Sequence, residues 1–298
     1  MTAPNDKSGM DFGGSSAVQD SGTMAILDKP VDLACLNDTT VIERFSEKYA
    51  FWIGTSKTNT VKGLSGFPYK CYSNGTTEAF DKFYLRNNNR RFRCFKGEYM
   101  YHKLAWRNTH QWKWLEDDDL KHTDAVVISL PFADTGDKHR DFYYVINRCC
   151  ELGIPVLIDC IYFSVCQDIL FDLDYPCITD VVFGLSKTFP VAHARIGIRF
   201  TRVDDDDTMF MYQKIQYSNR IGAELGLRYL DNFDPDYISN KYKPKQLEFC
   251  KVLNVNPTKT VMFGQGGADW QQYNRGGYTN RLSFHKQFIQ GLNYASSN

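Results

Sequence analysis

The 298-residue chain has no net charge, because 35 lysines and arginines balance 35 aspartates and glutamates. That balance gives no electrostatic reason to expect nucleic acid or an anionic membrane as a partner. No apolar run approaches the roughly 18 residues a membrane span needs. No basic segment followed by an apolar stretch opens the chain, so no secretory signal is expected. Metal-ligand spacings such as a CxxC pair are also lacking. The nine cysteines are scattered, and we expect reduced, mostly buried thiols in a cytoplasmic protein. There is no internal repeat. Gly264-Gln265-Gly266-Gly267 reads as a loop rather than a phosphate cradle, since no helix clearly follows it. The one tight basic cluster, Arg90, Arg91 and Arg93, reads as a solvated turn between a helix and a strand.

What is present is an ordinary globular balance, 43% hydrophobic and 23% charged, in a chain long enough for one large domain and a small one. Residues 1–24, rich in Ser, Gly, Asp and Thr, read as a mobile tail. Residues 25–233 form the expected large domain, and the turn-rich residues 234–298 a reduced small one. Ala125 to Pro131, Pro155 to Asp159 and Asp180 to Phe183 are short apolar runs of the kind buried in parallel sheets. Between the first two, Asp137 to Leu152 has a helical stripe that Gly153 stops. Met209 to Leu230 reads as one long helix after the acidic run Asp204 to Asp207. Further on come a short helix over Lys245 to Leu253 and a strand near Thr260 to Phe263. Alternating strands and helices predict an α/β fold, a mostly parallel sheet with helices on both faces plus a reduced α+β small domain. Ligands of such sheets sit at the carboxyl ends of the strands, where Asp159 and Lys187 fall.

The segment Phe183-Gly184-Leu185-Ser186-Lys187, followed by Arg195-Ile196-Gly197, resembles the Schiff-base lysine motif of the class I/II aminotransferases. These are pyridoxal-phosphate enzymes of the aspartate-aminotransferase fold. Gly184 stands where the family pattern has a serine. Asp159-Cys160-Ile161-Tyr162 is similar to the family's Asp-x-x-Tyr segment, and Gly75-Thr76-Thr77 to its phosphate-holding turn. Gly97-Glu98-Tyr99 resembles the site of the ring-stacking aromatic, for which Tyr101 competes. Asn280-Arg281-Leu282-Ser283 resembles the carboxylate-gripping arginine segment. The likeness covers about residues 70 to 200 and the surroundings of Arg281.

The resemblance implies pyridoxal 5′-phosphate joined to Lys187, which then acts as the base on substrate. Asp159 would pair with the pyridine nitrogen and Tyr162 with the ring oxygen. Gly75, Thr76, Thr77, Ser186 and Arg195 would hold the phosphate. Tyr99 would stack on the ring, and Arg281 would bind the substrate α-carboxylate through its planar guanidinium. His193 reads as a packed or solvated histidine. The pattern departs at Leu130-Pro131-Phe132-Ala133-Asp134-Thr135-Gly136, where Ala133 replaces an asparagine that hydrogen-bonds the ring. Tyr162 would make that contact alone, or Asp134 or a water would assist. The chain is also short for the family. The expected activity is an aminotransferase acting on a small amino acid and a 2-oxo acid, as a homodimer. The alternatives are another pyridoxal-phosphate reaction (lyase, decarboxylase or oxidase) and a non-catalytic cofactor-binding protein.

Overall fold

A computed structural model describes residues 10–204 and 207–292. Twelve strands are present among them: β1 (Thr60–Lys62), β2 (Tyr69–Asn74), β3 (Arg91–Cys94), β4 (Trp112–Trp114), β5 (Asp124–Ser129), β6 (Val156–Asp159), β7 (Leu170–Asp172), β8 (Ile178–Gly184), β9 (Ile196–Thr201), β10 (Asn256–Pro257), β11 (Phe263–Gly266) and β12 (Asn280–Ser283). Seven of them form the central sheet, in the order β2-β9-β8-β6-β5-β3-β4. All its pairings are parallel except the two made by β9, which alone runs against the rest. The apolar runs explain the centre of this sheet. Every residue of β5 and β6 is buried, as expected of strands covered by helices on both faces.

The carboxyl ends of β2, β3, β5, β6 and β8 therefore share one edge, and the start of β9 joins them there. β10, β11 and β12 form a separate antiparallel sheet. It packs with helix Tyr237–Leu253 over a core that includes Phe249, Phe263, Phe284 and Phe288. No described helix is long and apolar enough to cross a membrane.

Several local expectations are corrected. Met209 to Leu230 is two helices, Thr208–Lys214 and Arg220–Asn232, broken where Gln216 takes a left-handed φ of 64°. Asp207 caps the first of these by accepting from the Met209 and Phe210 N–H groups; Asp205 and Asp206 lie outside the described residues. The helix expected from Lys245 begins at Tyr237 and carries Pro244 inside it. Gly264, Gln265 and Gly266 belong to β11 rather than to a loop. Helix Phe142–Leu152 starts later than expected but does end at Gly153, in the left-handed conformation that favours glycine. Arg93 is not solvated. It is fully buried on β3 and pairs with buried Asp124 at 2.7 Å, which Arg91 also contacts. Adjacent parallel strands bring those residues together. Cys150 and Cys177 form a disulfide, contrary to the expectation of reduced thiols throughout. The helix end and the start of β8 place their Cα atoms 4.7 Å apart, within disulfide reach. The other seven cysteines are free and buried.

Of the segment read as a tail, the first nine residues lie outside the described ones. Of the rest, Asp20 and Thr23 accept from tyrosines of helices Tyr237–Leu253 and Arg220–Asn232, and Phe12 packs on the second sheet. Phe12 is 1% exposed and meets Trp270, Tyr273 and Phe284 edge to face, while its carbonyl accepts from the Ser283 N–H. A buried aromatic among three others is enough to fix the segment.

Candidate active site

Two adjoining cavities open at the shared strand edge. The smaller, about 150 Å³, is lined by Thr76, Thr77, Tyr99, Ala133, Asp159, Ile161, Tyr162, Ser186, Lys187 and Arg195, together with Ser16 and Arg275. The larger, about 480 Å³, shares Tyr99, Tyr162, Lys187 and Arg275 with it and adds Arg281. Eight of the ten residues singled out in the sequence thus line the smaller cavity, while Arg281 lines only the larger. Gly75 stands behind Arg195. His193 is exposed and borders neither cavity. Tyr101 also lies outside, its hydroxyl donating to Asp81 at 2.8 Å, which leaves Tyr99 as the aromatic facing the cavity.

The Gly75 turn gathers free donors, with the Glu78 carboxylate accepting from the Asn74 N–H behind it. Helix Thr76–Arg86 begins with no side-chain cap on its first N–H groups, so these and the helix dipole face outward toward the cavity. Arg195 donates to Thr77 Oγ1 at 2.9 Å and so brings a guanidinium to the same turn. Gly75 has a φ of 74°, and a Cβ there would collide with that guanidinium. A Cβ on Gly184 would lie 2.8 Å from Ile161 Cδ1 and 3.2 Å from Thr76, so a serine there requires the Ile161 side chain to shift.

Opposite the turn lies Asp159, 2% exposed. Its one hydrogen bond comes from the Ile161 N–H, at 3.1 Å. Burial, then the nearby Glu98 carboxylate, push its pKa up to about 8. A buried acid at a cavity wall with no bonded cation has the right character to receive a protonated ring nitrogen.

Glu98 was quoted in the sequence only as a neighbour of Tyr99. It accepts from Ser129 Oγ and from the Ser129 and Tyr99 N–H groups, and burial raises its pKa. The Tyr162 phenol would be raised by burial, but the Arg281 and Lys187 cations and Ser15 together draw it below its ordinary value.

Stability should record the Asp159 pKa. An unfolded aspartate titrates near 3.9, so between about pH 4 and 8 the folded chain holds a proton the unfolded chain has lost. Stability from this group is complete below the unfolded value and falls as pH rises through the folded one. Asp159→Asn mimics the protonated carboxyl. In the cofactor-free protein its melting temperature should exceed the parent's by a small margin at pH 5 and by a larger one at pH 8. A constant difference between the two pH values would contradict the placement of this titration.

Ala133, 3% exposed, lines the smaller cavity through a methyl group. Asp134 does not substitute for the missing asparagine: its carboxylate points away and accepts from Thr279 Oγ1 at 2.9 Å. Lys187 Nζ donates to the Ser15 carbonyl, and Arg281 donates to the carbonyls of Gly14 and Ala133. The segment Gly13 to Ser16 therefore lies across both cavities. It escaped the sequence reading because Gly13-Gly14-Ser15-Ser16 looks like linker, yet small residues are what let a backbone approach a site closely. Arg275 was also missed. It sits in Asn274-Arg275-Gly276-Gly277, and an arginine among turn residues carries little signal by itself.

No family model and no curated protein matches the chain. Solved structures do match in shape. An aromatic aminotransferase from Pyrococcus horikoshii OT3 superposes with a TM-score of 0.63 at 13% identity, covering 92% of this chain and 90% of that one. The histidinol-phosphate aminotransferase from Clostridium acetobutylicum gives 0.61 at 11%, covering 94% and 97%. The PLP-bound C-S lyase from Staphylococcus hominis gives 0.58 at 11%, covering 87% and 85%. At these identities the likeness is one of fold.

Proposed function

We propose that this chain, which has the aspartate-aminotransferase fold of those structures, binds pyridoxal 5′-phosphate at Lys187 and catalyses amino transfer between a small amino acid and a 2-oxo acid. The observation that carries the reading is the meeting in one cavity of Lys187, a buried Asp159 that accepts only from the Ile161 N–H, and an uncapped helix start with Arg195. When bound, the cofactor supplies an aldehyde that condenses with amines and a ring that accepts electrons from the substrate Cα.

The chain's own residues do the rest. Thr76, Thr77, Ser186 and Arg195 bind the phosphate. Asp159 holds the proton of the ring nitrogen, and Tyr99 covers the ring face. The Lys187 amine would hold the cofactor aldehyde and would move the proton at the substrate Cα. Tyr162 donates to the ring oxygen, with a phenol acidified by Arg281 and Lys187. Arg281 takes the α-carboxylate, and to do so it releases the Gly14 carbonyl. We infer a homodimer from the same family resemblance.

One observation favours a second reading. Ala133 offers no hydrogen bond to the ring oxygen, and a change there alters how readily the Cα proton returns. A lyase or decarboxylase on the same scaffold is that alternative, and the C-S lyase of this fold is a precedent for it. Incubating the pyridoxal-phosphate-loaded protein with an amino-acid panel separates the readings. Amino transfer predicts the pyridoxamine form of the cofactor and one equivalent of 2-oxo acid in the absence of a second substrate. Release of carbon dioxide or of a side-chain leaving group, with the cofactor unchanged, would favour the alternative.

The phosphate turn gives a separate test. Gly75→Ala forces a side chain into a left-handed φ and against Arg195, a strain of about 1–3 kcal/mol. Pyridoxal-phosphate affinity should fall about 5- to 150-fold, measured by fluorescence titration. Unchanged affinity would remove the turn from the phosphate site.

A further inference from the structure

The larger cavity carries more positive charge than one α-carboxylate uses. Lys187, Arg275 and Arg281 all line it, and no aspartate or glutamate is among its described lining residues. The nearest acids lie behind it. Burial raises the pKa of both Asp134 and Glu98; Glu98 accepts from Ser129 and the Tyr99 N–H, and Asp134 Oδ2 from Thr279, while Asp134 Oδ1 has no hydrogen-bond partner among the described residues. On the reading above, Arg195 serves the cofactor phosphate and Arg281 the α-carboxylate. Arg275 is then a cation with no assigned ligand anion, its nearby counter-charges being the buried Asp134 and Glu98 carboxylates.

Its position is fixed rather than incidental. The loop bearing it is closed from within, since Gly276 N–H donates to Asn274 Oδ1 at 2.8 Å and Asn274 Nδ2 donates to the Thr279 carbonyl at 3.2 Å. From outside it is pinned by Thr279 on Asp134 and by Gly277, where any Cβ would collide with the Asp134 carboxylate. Arg275 then donates to the Ala133 carbonyl at 2.9 Å, the same oxygen that Arg281 reaches. Two guanidinium groups held on one neutral acceptor repel each other, and an anion placed beside them relieves that repulsion. Guanidinium forks suit carboxylate and phosphate alike.

We propose that Arg275 is a specificity-determining residue that receives a second anionic group, carried on the side chain of an amino-acid substrate whose α-carboxylate is held by Arg281. The inference rests on the function proposed above and narrows its substrate to acidic or phosphorylated amino acids.

Calorimetric titration of the cofactor-loaded protein with glutarate, 3-phosphonopropionate and butyrate tests it without turnover. Glutarate and butyrate are of similar length and differ in the second charge. At least one of the two dianions should bind about 10- to 100-fold tighter than butyrate, the range expected for a charged hydrogen-bonded pair. Whichever dianion is tighter distinguishes a carboxylate from a phosphate side chain. Arg275→Gln should remove that advantage while leaving butyrate affinity within about twofold, whereas Arg281→Gln should weaken all three ligands. If Arg275→Gln does not fold, Arg275→Lys should retain an intermediate preference for the dianion.

Equal affinity for dianions and butyrate in the parent protein would overturn the proposal. So would an equal loss of all ligands in Arg275→Gln, the mark of a purely structural arginine. The same titrations on the cofactor-free chain separate the two levels of the argument. A chain that takes up no pyridoxal phosphate yet prefers dianions would sink the cofactor reading and leave the charge reading standing.

Discussion

Replacing Lys187 with alanine is expected to abolish covalent retention of pyridoxal phosphate and to lower turnover by at least about 10²- to 10⁴-fold, the span of a single positioned proton-transfer group. Nothing else in the smaller cavity can take over. Its other cations, Arg195 and Arg275, are guanidinium groups that stay protonated at neutral pH and form no comparable bond to an aldehyde. The phosphate turn, Asp159 and Tyr99 remain, so Lys187→Ala should still bind the cofactor reversibly, and dialysis should then remove it. Lys187 also donates to the Ser15 carbonyl, so the variant loosens one contact of the Gly13 to Ser16 segment. Circular dichroism and melting temperature separate that effect from loss of chemistry. Should Lys187→Ala turn over at a parental rate, the assignment of Lys187 is wrong.

The second large effect is expected at Asp159. An asparagine keeps the shape and the hydrogen bond from Ile161 but loses the negative charge. The ring nitrogen would then no longer be held protonated, and the electron-accepting step would slow. Loss of one preorganised charged partner in a dry site costs about 10²- to 10³-fold. The effect should fall on the rate constant more than on cofactor retention, because Lys187 and the phosphate turn persist. Asp159→Asn is also the variant expected to gain stability at pH 8 in the cofactor-free state. A single substitution that raises stability while lowering activity is what a strained functional carboxyl predicts. If Asp159→Asn keeps full activity, the pairing with the ring nitrogen is excluded.

Much of this site could be read from the sequence because chemistry and strand ends coincide in it. Asp159 closes β6 and Lys187 follows β8, so short apolar runs locate both, while Gly75, after β2, is located only by the resemblance of its turn. The parallel centre of the sheet was legible for the same reason: fully buried strands leave continuous apolar stretches. What stayed hidden depends on contacts between distant segments. The Gly13 to Ser16 segment reaches Lys187 and Arg281 across 172 and 267 residues, and nothing in its own composition signals that. Arg93 looked solvated because its partner Asp124 lies on the neighbouring strand, 31 residues away. The disulfide between Cys150 and Cys177 likewise joins a helix end to a strand start. The stretch around residues 264–266 was misjudged locally, because its glycines sit in β11, where Gly264 meets the Phe284 ring and Gly266 meets Trp270. Glycine was read there as a loop former, but packing selected it for space.

The central claim is that Lys187 joins pyridoxal phosphate. Its most direct test is to incubate the protein with the cofactor, reduce with borohydride, digest, and locate the label by mass spectrometry. The account predicts a single phosphopyridoxyl modification, on the peptide containing Ser186 and Lys187, at close to one equivalent per chain. No label, or a label spread over surface lysines with Lys187 unmodified, would contradict it.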